Sequence, residues 1–180
     1  MDSDGYLSQL AGIFDGITVL TPSISAIIAI VLAGVLLLAS GFASASEIAF
    51  FSLSPSDRND IDERNHPSDE KISALLGDSE RLLATILITN NFVNVTIIML
   101  CNFFFMNVFI FHSPLAEFLI LTVILTFLLL LFGEIMPKIY SAQKTLAFCR
   151  FSASGIYYLE KIFRPVATVL VRSTAFLNLS

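Results

Sequence analysis

The sequence predicts an all-α membrane protein with three transmembrane helices and cytoplasmic juxtamembrane amphipathic helices, its N-terminus outside and its C-terminus cytoplasmic. Three observations carry that prediction. The chain of 180 residues is 56% hydrophobic and only 14% charged, and its mean hydropathy of +0.82 lies well above that of a soluble domain of this length. Three apolar stretches are each long enough to cross a hydrocarbon core of ~30 Å, which takes about 20 residues of helix. The ten Lys and Arg residues fall in two blocks, Arg58 to Arg81 and Lys138 to Arg172, with none elsewhere.

The elements follow in order. Residues 1–22 read as a short extracytoplasmic leader with an amphipathic turn or two, without the positive start of a secretory signal. Residues 23–138 form the transmembrane domain, with spans over about 23–51, 82–111 and 115–137. The loop at 54–81 carries its own helix signals. Ser54, Pro55 and Asp57 form a capping box with proline at the first helical position, "HPSDE" marks a second start, Gly77 a stop, and "DSER" the cap of the second span. Residues 139–180 predict juxtamembrane helices, because Arg150, Glu160, Lys161, Arg164 and Pro165 interrupt the segment too often for a span. Both basic blocks belong on the cytoplasmic side, an arrangement that three spans satisfy and four would not. Cys101 and Cys149 lie far apart in unlike settings, without a disulfide framework or zinc spacing.

Polar residues inside the spans point to function. Ser44, Ser46 and Glu47 come late in the first span, Asn90, Asn91 and Asn94 early in the second, and Gly133 and Glu134 late in the third. Polar groups in hydrocarbon need partners, and ionisable ones mark functional sites. At 1.5 Å per residue Asn90 and Asn94 lie about 12 to 18 Å from the start of their span, a depth that Ser44 and Glu134 reach from the opposite side. Asn90 and Asn94 share a helix face, whereas Asn91 points about 100° away. Pro137 lacks an N–H, so the Gly133 carbonyl four residues earlier loses its helical partner beside the Glu134 carboxylate. Ser44, Asn90, Asn94, the Gly133 carbonyl and Glu134 thus make an all-oxygen set, suited to Mg²⁺, Ca²⁺ or Na⁺ and not to zinc or copper. Each part has a plainer reading: small residues as helix packing, the Asn pair as interhelical glue, Gly and Pro as a stop. Their coincidence at one level favours a site. Lys138 reads as an interfacial anchor, or as the group that neutralises Glu134 when no cation is present.

Three blocks, "GFxSxSExAxxS" over 41–52, "LxxNNxVN" over 87–94 and "GExxPK" over 133–138, resemble the transmembrane domain of the CNNM/CorC family of magnesium transport proteins. Ala43 and Ala45 depart conservatively from the family pattern. The resemblance implies a homodimer in the plasma (inner) membrane, in contact with lipid, with one cation site per protomer. That site would be built by Ser44, Asn90, Asn94, Gly133 and Glu134, with Mg²⁺ as the bound substrate ion and Na⁺ as a candidate coupling ion. It also implies that the chain is a membrane domain normally continued by cytoplasmic CBS-type domains. The leading expectation is Mg²⁺ transport by alternating access. The alternative is a cation-sensing membrane anchor and dimerisation module that regulates attached domains or partners without carrying flux. Neither enzymatic chemistry nor nucleic-acid binding is expected: no hydrolase triad, metalloprotease helix or phosphate loop is present, and His66 and His112 are expected on opposite sides of the membrane.

Overall fold

The computed structural model describes residues 17–177, with side chains through Val169. The leader expected over residues 1–16 lies outside the described residues. The order is β1 (Ile17–Val19), α1 (Ile24–Phe51), α2 (Pro55–Asp62), α3 (Asp69–Leu76), α4 (Ser79–Val108), β2 (Phe109–Phe111), α5 (Pro114–Gln143) and α6 (Thr145–Leu177). Helices α1, α4 and α5 are each long and apolar enough to cross a membrane. The chain is an integral membrane protein of three spans.

Local chemistry explains most boundaries. Ser23 caps α1, its hydroxyl accepting from the Ala26 N–H. Ser54 and Asp57 close the expected capping box on α2, with Pro55 in its first turn. Asp78 accepts from the Arg81 N–H and starts α4. Gly77 ends α3 as expected.

Three segments differ from the sequence reading. The second span ends at Val108, and Phe109–Phe111 pairs antiparallel with Ile17–Val19, Ile17 opposite Phe111 and Val19 opposite Phe109. Six β-branched or aromatic residues, with Thr18 among them, suit a ribbon at a helix end. The pair also fixes geometry, because it holds the start of the chain at the same end of the bundle as the turn between α4 and α5. The third span does not stop at Pro137 but runs to Gln143. A π-helical turn over Leu131–Ile135, in which the Met136 N–H reaches the Leu131 carbonyl five residues back, widens the helix before Pro137, which then sits in the first turn of a regular segment. The C-terminal segment is one helix through Pro165, not several. It is not among the helices apolar enough to span.

Helix α1 is central, packed against α4, α5 and α6. Two apolar cores result. One lies between the spans, around Ala33, Val93, Ile97, Cys101 and Leu129. The other lies at the loop end, where Phe50, Ile72, Leu75, Leu82 and Ile156 join α1, α3, α4 and α6. At the same end of the bundle lies a part-buried ion pair between α3 and α6 which periodicity did not announce. Asp69 is 0% exposed and receives both Arg150 Nε at 2.8 Å and Arg150 Nη2 at 3.0 Å. Both cysteines are free and buried. Burial pushes the Cys149 thiol up to about 12, which leaves it unreactive.

Candidate cation site between the spans

The first and second spans meet at Ser40. Its Oγ lies 2.6 Å from Asn94 Oδ1, 2.9 Å from Asn90 Oδ1 and 3.4 Å from the Gly133 carbonyl oxygen. Ser44, one turn further along α1, reaches Asn90 Oδ1 at 3.4 Å. Ser40 and Ser44 are fully buried and Asn90 nearly so. Several hydroxyls elsewhere in the spans stay within their own helix, although Ser141 Oγ in α5 also crosses, donating to the Ala45 carbonyl at 2.7 Å. Ser46, Thr89 and Thr96 each donate to the carbonyl four residues back in their own helix, the usual way for a hydroxyl to satisfy itself in an apolar setting. Ser40 and Ser44 instead cross to another helix.

The stoichiometry of protons at this point is informative. A serine hydroxyl has one proton to give, and three carbonyl-type oxygens from two other helices converge on Ser40. The Ser44 hydroxyl adds one more proton, at 3.4 Å. The centre is rich in acceptors. Close approach of α5 depends on Gly133, where a Cβ would stand 3.2 Å from both Ser40 Oγ and Leu37 Cδ1, and on Gly41, where it would stand 3.1 Å from Pro137 Cγ.

Glu134 is not in this cluster. Its carboxylate pairs with Lys138 Nζ at 3.3 Å, and the same ammonium lies 3.1 Å from Glu47 Oε2. Among the described residues no hydrogen bond links Glu134 to Ser40, Asn90 or Asn94. The structure therefore brings Ser44, Asn90, Asn94 and Gly133 together, leaves Glu134 on a neighbouring charged rung, and adds Ser40 at the centre. Ser40 was missed, although its position four residues before Ser44, on the same helix face, was a readable signal. Asn91 is exposed on the outer face of α4, as its angular position requires.

Among the described residues no three His, Cys, Asp or Glu side chains gather at one point. The donors are neutral oxygens with a carboxylate close by, a chemistry for hard cations. A cavity of about 560 Å³ borders the same helices, lined by Gly41, Phe42, Phe132, Pro137, Phe148 and others. Its walls are apolar, and it does not include the polar centre.

Removing the Ser40 hydroxyl tests the cluster. Ser40→Ala leaves converging acceptors without their shared proton, and about 1–3 kcal/mol of stability is expected to go with it in chelator. Thermal unfolding in detergent reads the change, and an unaltered melting temperature would contradict the central role given to Ser40.

Three candidate spans with a buried polar centre and a collar of helices at one end define a polytopic helical membrane protein. The "Cyclin M transmembrane N-terminal domain" family matches residues 18–179, and the chain belongs to that family. It is 31% identical over 134 residues to a UPF0053 protein of Haemophilus influenzae, covering 74% of this chain and 31% of that protein. It is 26% identical over 140 residues to the UPF0053 protein sll1254 of Synechocystis, covering 78% of this chain and 39% of that one. The chain spans between about three and four tenths of the length of these relatives.

Proposed function

We propose that this domain moves Mg²⁺ across the plasma (inner) membrane by alternating access, in exchange for Na⁺, as one protomer of a homodimer whose full-length form carries cytoplasmic CBS-type domains. The observation that carries the reading is the convergence of the Asn90 and Asn94 side chains and the Gly133 carbonyl on Ser40, buried between spans. A cation would be met there by converging oxygen lone pairs. Asn90, Asn94, the Gly133 carbonyl and Ser44 would hold it, with Ser40 either joining the shell or turning away. Glu134 would bring the one full charge that Mg²⁺, which sheds water reluctantly, requires.

The charge distribution supports the orientation. Arg58, Lys71, Arg81, Lys138 and Arg150 all belong to the end of the bundle where α2 and α3 pack, opposite the β1–β2 ribbon. By the positive-inside rule that end is cytoplasmic and the ribbon is outside. The polar centre then lies in the inner half of the bilayer, with Glu47 and Glu134 nearer the cytoplasm than Ser40.

The deciding measurement is Mg²⁺ flux into proteoliposomes holding a trapped indicator, with Na⁺ gradients of both signs, for the wild type beside Asn94→Ala. Flux in the wild type that disappears in a folded Asn94→Ala protein is expected. Flux absent from both, with Mg²⁺ still raising the melting temperature of the wild type, would replace the carrier by a cation-sensing anchor.

A further inference from the structure

Ser40, Ser44 and Glu47 stand at i, i+4 and i+7 on one face of α1, and Gly133, Glu134 and Lys138 face them from α5. Two rungs result. The neutral rung joins Ser40 and Ser44 to Asn90, Asn94 and the Gly133 carbonyl. The charged rung joins Glu47, Lys138 and Glu134 through one ammonium, at 3.1 Å and 3.3 Å. The carboxylate most needed by a cation on the first rung is engaged on the second.

We infer that Lys138, held by Glu47, is a latch that keeps the Glu134 carboxylate off the cation site, so that binding requires Glu134 to leave Lys138. The inference rests on the cation-site reading above and adds a regulatory part to it. Three features support it. Two carboxylates share one lysine, so when Glu134 turns to the cation Lys138 keeps Glu47 and no charge is stranded. All three side chains are only a quarter to a third exposed, so their pairing is incompletely screened by solvent. Glu134 directly follows Gly133, whose carbonyl already belongs to the neutral rung, so the two rungs adjoin in sequence at the same turn of α5. Glu47 and Lys138 are positioning residues: neither needs to touch the ion.

Freeing a binding-competent state raises apparent affinity by the inverse of its former population. Lys138→Met is therefore expected to lower the Mg²⁺ concentration for half-maximal thermal stabilisation, by about tenfold if the unlatched form is one tenth populated. Glu47→Gln leaves Lys138 wholly to Glu134 and is expected to raise that concentration. A simple change in local field predicts the same two signs, so the double variant decides. With the latch, Glu47→Gln has no further effect once Lys138 is Met, because it acts only through Lys138. If Glu47→Gln weakens binding by the same factor in both backgrounds, or if Lys138→Met binds no tighter, the latch is overturned.

The experiment uses the whole chain in detergent with Mg²⁺ as the only added ligand. Lys138→Gln serves as a second neutral variant should the methionine form fail to fold. A Glu134→Gln arm separates the two levels of inference. Wild-type stabilisation that survives Glu134→Gln unchanged removes the cation-site reading and the latch together. Stabilisation that depends on Glu134 but not on the Glu47 and Lys138 cycle removes the latch alone.

Discussion

Arg150→Ala is expected to cost about 3–5 kcal/mol of folding stability, the range for breaking a buried ion pair from one side. Asp69 is fully buried and its carboxylate accepts from Arg150 Nε, Arg150 Nη2 and the His66 N–H, at 2.8, 3.0 and 2.9 Å. Taking away the guanidinium leaves the buried Asp69 carboxylate with a single backbone donor, the His66 N–H. The loss would be felt as detachment of the α2–α3 collar from α6, since Asp69 begins α3 and Arg150 lies in the second turn of α6. Denaturant unfolding in detergent gives the magnitude, and proteolysis within residues 52–78 reports the detachment. A variant within about 0.5 kcal/mol of wild type, the range of ordinary surface changes, would contradict the role assigned to the pair.

The same pair sets an acid limit. The Arg150 hydrogen bonds hold the Asp69 carboxyl below its ordinary value of 3.8, against an opposing push from burial. A depressed carboxylate pKa contributes stability that is complete above the unfolded value and lost as pH falls through the folded one. The contribution is therefore constant from neutrality down to about pH 5 and declines below 3.8. Arg150→Ala should flatten that part of the acid-unfolding curve.

The ends of the helices were legible because they are local. Ser54 and Asp78 cap where their side chains accept from an N–H three residues on, within four consecutive residues of sequence. The spans were legible because hydrophobic length is a property of composition along the chain. What escaped depends on distance. The pairing of Ile17–Val19 with Phe109–Phe111 joins segments about ninety residues apart, and an apolar triplet at the end of a long run reads as more helix. Asp69 read as part of a helix-start signal and Arg150 as an interruption of the juxtamembrane segment, and only the fold brings α3 against α6 to pair them. The third span looked finished at Pro137, since a proline's missing N–H ordinarily ends a helix. The π turn before it removes that conflict by shifting the bonding register, a solution that residue types alone do not display. Depth arithmetic brought Asn90, Asn94, Ser44 and Glu134 to one level, yet it cannot tell which of two serines a turn apart lies at the centre. Nor could it foresee that the Glu134 carboxylate turns instead to Lys138, which bridges it to Glu47 across two helices.

Glu134→Gln is the substitution expected to affect cation binding most. Of the oxygens assembled near Ser40, those of Asn90, Asn94, Ser44 and Gly133 are all neutral dipoles. A dehydrated divalent ion among dipoles alone lacks the charge that offsets the loss of its water, and Glu134 is the carboxylate adjoining that rung. Truncating one member of a buried charge pair typically removes 2–5 kcal/mol of binding, and a loss of about 3 kcal/mol, roughly a hundredfold in affinity, is expected here. Folding should suffer far less, because glutamine keeps the volume and can still accept a hydrogen bond from Lys138, which retains Glu47 as its charged partner. The two readouts move apart, and that separates a binding role from a structural one. A Glu134→Gln protein that melts near the wild-type temperature in chelator but gains nothing from millimolar Mg²⁺ fits a carboxylate that serves the ion. If the melting temperature in chelator falls and the increment from Mg²⁺ stays whole, Glu134 is a strut for Lys138 and the cation-site reading falls with its role in binding.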